Sequence, residues 1–205
     1  MNFRVVLASL CLLAPVTAFA QSDDPVDRNV GGGYAGLALN LGQAHGVGSD
    51  DNGTAYLMGA DIGYVMPRDT WNRIEFGLEL STGKAEFGDS GFDAELDFGL
   101  IAMGKVGYGY SLGGHSFGMF RLGFGIANGD AEVKQNGINS DAGDFDGTVA
   151  MVGYDVVFPA NDNLDFLVGV NYRIYNVSFD DAPAGSNDDT QINITSVNAA
   201  ARFRF

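Results

Sequence analysis

The sequence predicts an all-β fold, an eight-stranded antiparallel transmembrane β-barrel, and three observations carry that expectation. Eight segments alternate apolar with polar or small residues at period two. The connections between them alternate long and short. Beyond the amino terminus, no stretch holds the run of about 20 apolar residues that a membrane helix needs.

The chain opens on an address. Arg4 gives a positive start, residues 5–16 are apolar but too few to span a bilayer, and Ala18-Phe19-Ala20 supplies a small-x-small cleavage pattern. Residues 1–20 therefore read as a secretory signal peptide. Cleavage after Ala20 would remove Cys11, the single cysteine, so neither disulfides nor thiol chemistry is expected. Residues 21–32 are expected as a short periplasmic segment, with 33–205 forming the barrel domain.

The first two strands are expected over 34–43 and 55–65. The third, 71–81, sets Ile74, Phe76, Leu78 and Leu80 against Arg73, Glu75, Gly77 and Glu79. The fourth, 94–110, is long and less regular, because Ile101 and Met103 fall on its polar side. The fifth and sixth span 117–127 and 148–158. The seventh, 164–175, is the clearest: Phe166, Val168, Val170, Tyr172 and Ile174 alternate with Asp165, Gly169, Asn171 and Arg173. The eighth runs over 192–205. Strand side chains alternate between faces, so each segment offers one face suited to lipid and one that is not. Most are close to the 9–11 residues that a tilted membrane strand requires.

A soluble β-sandwich or lipocalin-like barrel would alternate too, with its apolar face inward. Two features favour the inverted arrangement. Tyr64, Tyr108, Tyr110, Tyr154, Phe158, Phe203 and Phe205 gather at strand ends on the apolar face, as an interfacial girdle would. Charged residues fall repeatedly mid-strand on the other face.

Connections at 66–70, 111–116 and 159–163 are short and rich in turn-forming residues. Those near 43–54, 82–93, 128–147 and 179–191 are long. Outer-membrane barrels have short periplasmic turns and longer extracellular loops. Eight strands starting from the periplasm place every long connection outside.

The alternation assigns Asp61, Glu75, Glu79, Glu95, Asp97, Asp155 and Asp165 to the barrel interior. Arg73, Lys105, Arg121, Arg173, Arg202 and Arg204 face it as well. An eight-stranded interior is just wide enough for side chains to fill. These groups are therefore expected as an ion-paired plug rather than an ion pathway, since an uncompensated charge there is costly. The whole chain carries a net charge of −15, which excludes nucleic acid as a partner. Most of that excess falls in the long connections, which makes divalent cations candidate partners at acidic loops. Asp144-Phe145-Asp146-Gly147 shares part of a calcium-loop spacing but lacks the closing Glu, so no metal site and no cofactor is expected.

At the carboxyl end Val197, Ala199, Ala201, Phe203 and Phe205 alternate up to a terminal phenylalanine. This looks like the signal that outer-membrane barrels present to the barrel assembly machinery. With Gly33-Tyr34 opening the first strand and Gly63-Tyr64 closing the second, the chain resembles the small eight-stranded outer-membrane barrels of the OmpA/OmpX type, within the porin family. The resemblance implies a fold and a location in the outer membrane of a Gram-negative bacterium, surrounded by lipid and monomeric. It implies no particular activity.

An enzyme is not expected. His45 falls in the first long connection and His115 in a short turn, a membrane thickness apart, and no carboxylate near Ser116 would orient His115. The carboxylate pairs Glu75/Glu79 and Glu95/Asp97 lie beside expected arginines, which suits a structural role better than acid–base work. The expected function is structural or interactive: envelope integrity, or contact with ions or other surfaces through acidic loops. A narrow channel for small solutes is the first alternative and a lipid-modifying enzyme the second.

Overall fold

The computed structural model describes residues 31–46, 52–68, 71–89, 92–113, 115–135, 138–180 and 189–205. The expected signal peptide and most of the expected periplasmic segment lie outside the described residues. The described chain forms eight antiparallel strands: β1 (Gly32–Gly46), β2 (Asn52–Pro67), β3 (Asn72–Asp89), β4 (Phe92–Gly113), β5 (Ser116–Gln135), β6 (Ile138–Pro159), β7 (Leu164–Phe179) and β8 (Asp189–Arg204). Each pairs with its neighbours in sequence, and β1 closes on β8 through a register that sets Leu37 opposite Ala201. No edge is left along the membrane-facing part, because the closed sheet pairs each strand on both sides.

All eight expected strands are present, but four are much longer than the lipid crossing requires. Residues 82–93 and 128–147, expected as loops, are mostly strand: β3 and β4 continue to Asp89 and from Phe92, β5 and β6 to Gln135 and from Ile138. His45, expected in a connection, ends β1 and bonds Asn52 at 2.6 Å. Asp144-Phe145-Asp146-Gly147 lies within β6, with Phe145 buried between exposed Asp144 and Asp146, so it is no loop.

The outer face carries the apolar band. Leu37, Ile62, Phe76, Leu78, Leu122, Phe124 and Val170 all point outward and stand exposed. Toward the end that bears the carboxyl terminus the band finishes in aromatics. Tyr64, Tyr108, Phe203 and Phe205 are exposed there, while Phe120 packs against Tyr154 with centroids 4.9 Å apart and Tyr110 bonds Tyr154 at 3.0 Å. Phe205 closes the seam, its amide donating to the Gly33 carbonyl at 3.0 Å. Tyr56 and Tyr172 stand exposed on the outer face toward the far end.

One phase assignment is overturned. Glu95 and Asp97, expected inside, point outward. The register slips between Phe98 and Leu100, where β4 carries an extra residue against both β3 and β5. A β-bulge adds one residue to one strand, so every side chain on one side of it changes face. Below the bulge Ile101, Met103 and Lys105 face inward; above it Phe98 and Leu96 do, which sends Asp97 and Glu95 outside.

Candidate functional site: the filled lumen and the acidic outer wall

The other eleven predicted interior charges converge inside the barrel: six cations against five acids. Around Glu75, on β3, gather Arg202 at 2.8 Å and Arg73 and Arg121 at 3.1 Å each. Arg121 also pairs with Asp155. Arg202 reaches on to Asp61 at 2.8 Å, which Lys105 approaches at 3.4 Å. Lys105 in turn meets Glu79 at 2.9 Å, and Arg173 completes the chain on Glu79 at 2.8 Å. Arg204 and Asp165 pair at 3.1 Å near the terminal end. The period-two pattern puts these residues on the inner faces of β2 to β8, three of them on β3, and barrel closure brings the strands' charges together.

Apolar and small residues shape this network. The Arg202 guanidinium lies 4.2 Å from the centroid of the Tyr34 ring, and that of Arg73 lies 4.2 Å from the Phe117 ring. Tyr34 reaches across β2 to β3, over Gly63 and Gly77, where a β-carbon would collide with its hydroxyl end. The network leaves a cavity of about 20 Å³ between Asn40, Asp61, Glu79, Lys105 and Asn198, room for about one water molecule. At this level the lumen is filled by side chains, six cations packed against five acids.

Beyond Arg173 the interior changes character. Leu57, Phe98, Ile101, Met103, Phe145, Val149, Met151, Tyr175 and Ile194 pack into one buried apolar layer. Phe98 meets Phe145 edge-on with centroids 5.6 Å apart, and Tyr175 at 4.9 Å. Ile101 and Met103, which look misplaced in the sequence, belong here. Alternation alone does not announce this layer; its signal in the sequence is the phase break at Phe98-Gly99-Leu100-Ile101, two apolar residues in succession after a glycine.

The outer wall changes at the same level, in the opposite sense. Above the apolar band, register sets Lys84, Asp97, Asp130 and Asp144 in one cross-strand row, and Glu86, Glu95 and Glu132 in the next. Lys84 pairs with Glu95 and, at 3.1 Å, with Asp97. The hydrogen bonds it donates to these two carboxylates hold its ammonium above the ordinary lysine range. Directly opposite like charges disfavour a sheet by about 0.2–1 kcal/mol a pair. Below this level the barrel is built for lipid, with apolar outside and charged inside; above it the barrel is built for water. Among the described residues no group of three or more His, Cys, Asp and Glu side chains is arranged to hold a metal ion. His45 and His115 sit at opposite ends of the barrel and share no site.

Neisserial surface protein A has a similar fold: its crystal structure matches at 16% identity with a TM-score of 0.52, over 86% of this chain and 99% of that one. The outer membrane enzyme PagL (16% identity, TM-score 0.46, 80% and 97% covered) and Ail, the attachment invasion locus protein of Yersinia pestis (14%, 0.41, 84% and 99%), are more distant in shape. None of these likenesses reaches beyond the fold. No curated protein matches the sequence. The sequence model for the outer membrane protein β-barrel domain, however, matches residues 6–205, and the chain belongs to that family.

Proposed function

We propose that this barrel serves a structural and surface-contact role in the outer membrane, with its acidic wall facing the exterior. One observation carries the reading: the carboxylates of β3 to β6 are held in cross-strand rows on continuous strands above the lipid band, with Lys84 at one edge. Rows on a sheet keep their spacing, where flexible loops would let like charges separate. Divalent cations drawn diffusely to these rows would link the wall to anionic neighbours. In this reading the chain is exported by its signal peptide, resides in lipid as a monomer and catalyses no reaction.

The decisive experiment is a deletion strain, challenged with detergent and with magnesium chelation, then complemented. Wild type should restore resistance. A variant with Asp97, Asp130, Glu132 and Asp144 changed to amides should fold normally and restore it only in part. A deletion strain indistinguishable from its parent under both challenges would sink the proposal.

Orientation has its own test. An epitope inserted between Gln135 and Ile138 should be labelled on intact cells, and one at Asn161, in the β6–β7 turn, only after permeabilisation. Labelling of the Asn161 tag on intact cells would reverse the assignment.

Assembly is proposed to depend on the outward row Val197, Ala199, Ala201, Phe203 and Phe205. Phe205 is 75% exposed, so its loss removes little buried contact. Phe205→Asp should therefore lower the amount of folded barrel in cells, read as heat-modifiable gel migration, without blocking export. A normal folded fraction would count against a recognition role for this end.

A further inference from the structure

We propose that the lumen is closed twice in series, by two seals of opposite chemistry, either of which alone holds it shut. The first is the ion-paired layer from Asp165 to Arg173. Its side chains are nearly inaccessible, and the cavity within it admits about one water molecule. The second is the apolar layer above, where Phe98, Ile101, Met103 and Val149 have no exposed surface at all. Tyr175 joins the two, its ring 4.9 Å from that of Phe98 and its place on β7 two residues from Arg173.

The chemistry of each seal decides what can breach it. An ion-paired plug opens when charged side chains exchange partners, because each exchange keeps every charge compensated while the geometry shifts. An apolar layer gives no such route. Ions crossing it would shed their hydration with no polar group to replace it, and an apolar constriction of this kind excludes water by dewetting. Rearrangement of the ion network alone therefore leads to a dry dead end. The apolar layer starts behind the outer apolar band, at Leu57, Ile101 and Met151, and continues above it to Phe98 and Phe145. The long strands thus have a second consequence besides carrying the acidic rows: they carry the inner apolar layer onward beyond the charges below.

The test is planar-bilayer recording of refolded mature protein in one lipid mixture. Wild type, Arg121→Ala, and the double variant Phe98→Ala with Phe145→Ala should all lack steady current. The combination of all three substitutions should show resolved, sustained openings. Steady current in Arg121→Ala alone would overturn the apolar seal, and steady current in the phenylalanine pair alone would overturn the ionic one. Silence of the folded triple variant would overturn the assignment of these two layers as the barriers. Should the triple variant fail to refold, cysteine labelling keeps the proposal exposed. Val149→Cys, introduced into Arg121→Ala, should resist a small charged thiol reagent from either side of the bilayer. Modification there would show that water passes the apolar layer once the ion network is cut.

Discussion

Replacing Glu75 with alanine is expected to destabilise the barrel more than any other single change to its interior, by about 3–5 kcal/mol. The magnitude follows from what remains behind. Glu75 is the common partner of Arg73, Arg121 and Arg202, all within 3.1 Å and all nearly fully buried. The interior already holds one more cation than acid, so its removal raises the excess to two without offering a substitute. Arg121 and Arg202 retain Asp155 and Asp61 respectively. Arg73 loses its single direct ion pair and keeps the Phe117 ring. Glu75→Gln preserves the volume and removes the charge, and should cost nearly as much if charge compensation dominates. Asp165→Ala, at the edge of the network beside Arg204, should cost less. Reversible urea unfolding of refolded protein in lipid would rank the three. Glu75→Ala unfolding within about 1 kcal/mol of wild type would show that the lumen takes up water freely enough to solvate the stranded arginines.

The membrane half of this molecule was legible in its sequence because two independent periodicities agree there. Alternation fixes the face of each residue, and connection length fixes the order of strands. Arg73, Glu75, Glu79, Arg121 and Arg173 could thus be placed inside without knowing any contact. Their pairing could not, since Arg202 meets Asp61 and Glu75 across the closure of the sheet, more than a hundred residues away in sequence. The far half was misread for a physical reason. Above the lipid band the solvent swaps sides, so the charged face, read as inward below, belongs outside. The bulge at Gly99 makes that swap within β4 by turning the strand's faces over. Alternation read straight through the bulge therefore sent Glu95 and Asp97 to the wrong side. Elsewhere the exchange needs no bulge: on β6, Val149 and Phe145 keep the same inward phase as Asp155, and only their chemistry changes. The same charged residues, Glu86 and Asp93 among them, gave 82–93 the look of a loop, although long strands in water need polar outer faces just as loops do.

An arginine placed at three positions should cost very different amounts, and the differences locate the level at which the barrel inverts. Leu78 faces outward within the apolar band, 43% exposed. Arginine there must sit in hydrocarbon or distort the bilayer, at a cost of about 2–4 kcal/mol. Phe98 faces inward above the bulge, fully enclosed by Phe145, Tyr175 and their neighbours. Arginine there has neither water, lipid headgroup nor counter-ion within reach, and its loss should exceed that at Leu78; failure to refold is the extreme of the same outcome. Glu132 faces outward above the band, registered against Glu95 on one side and Asp141 on the other. Arginine there exchanges a like charge opposite Glu95 for an attractive one in water, so stability should stay level or rise by about 0.2–1 kcal/mol. Unbroken alternation along β4 predicts a different order. It would turn Phe98 outward, where arginine is cheap, and Asp97 inward, where its loss is dear. Asp97→Ala supplies that contrast: outward, beside Lys84, it should cost well under 1 kcal/mol. The measurement is urea midpoint for the four variants refolded into the same vesicles. Phe98→Arg as stable as Glu132→Arg, or Asp97→Ala as damaging as Glu75→Ala, would show that the bulge does not turn the strand and that the apolar layer is not where the packing of Phe98 places it.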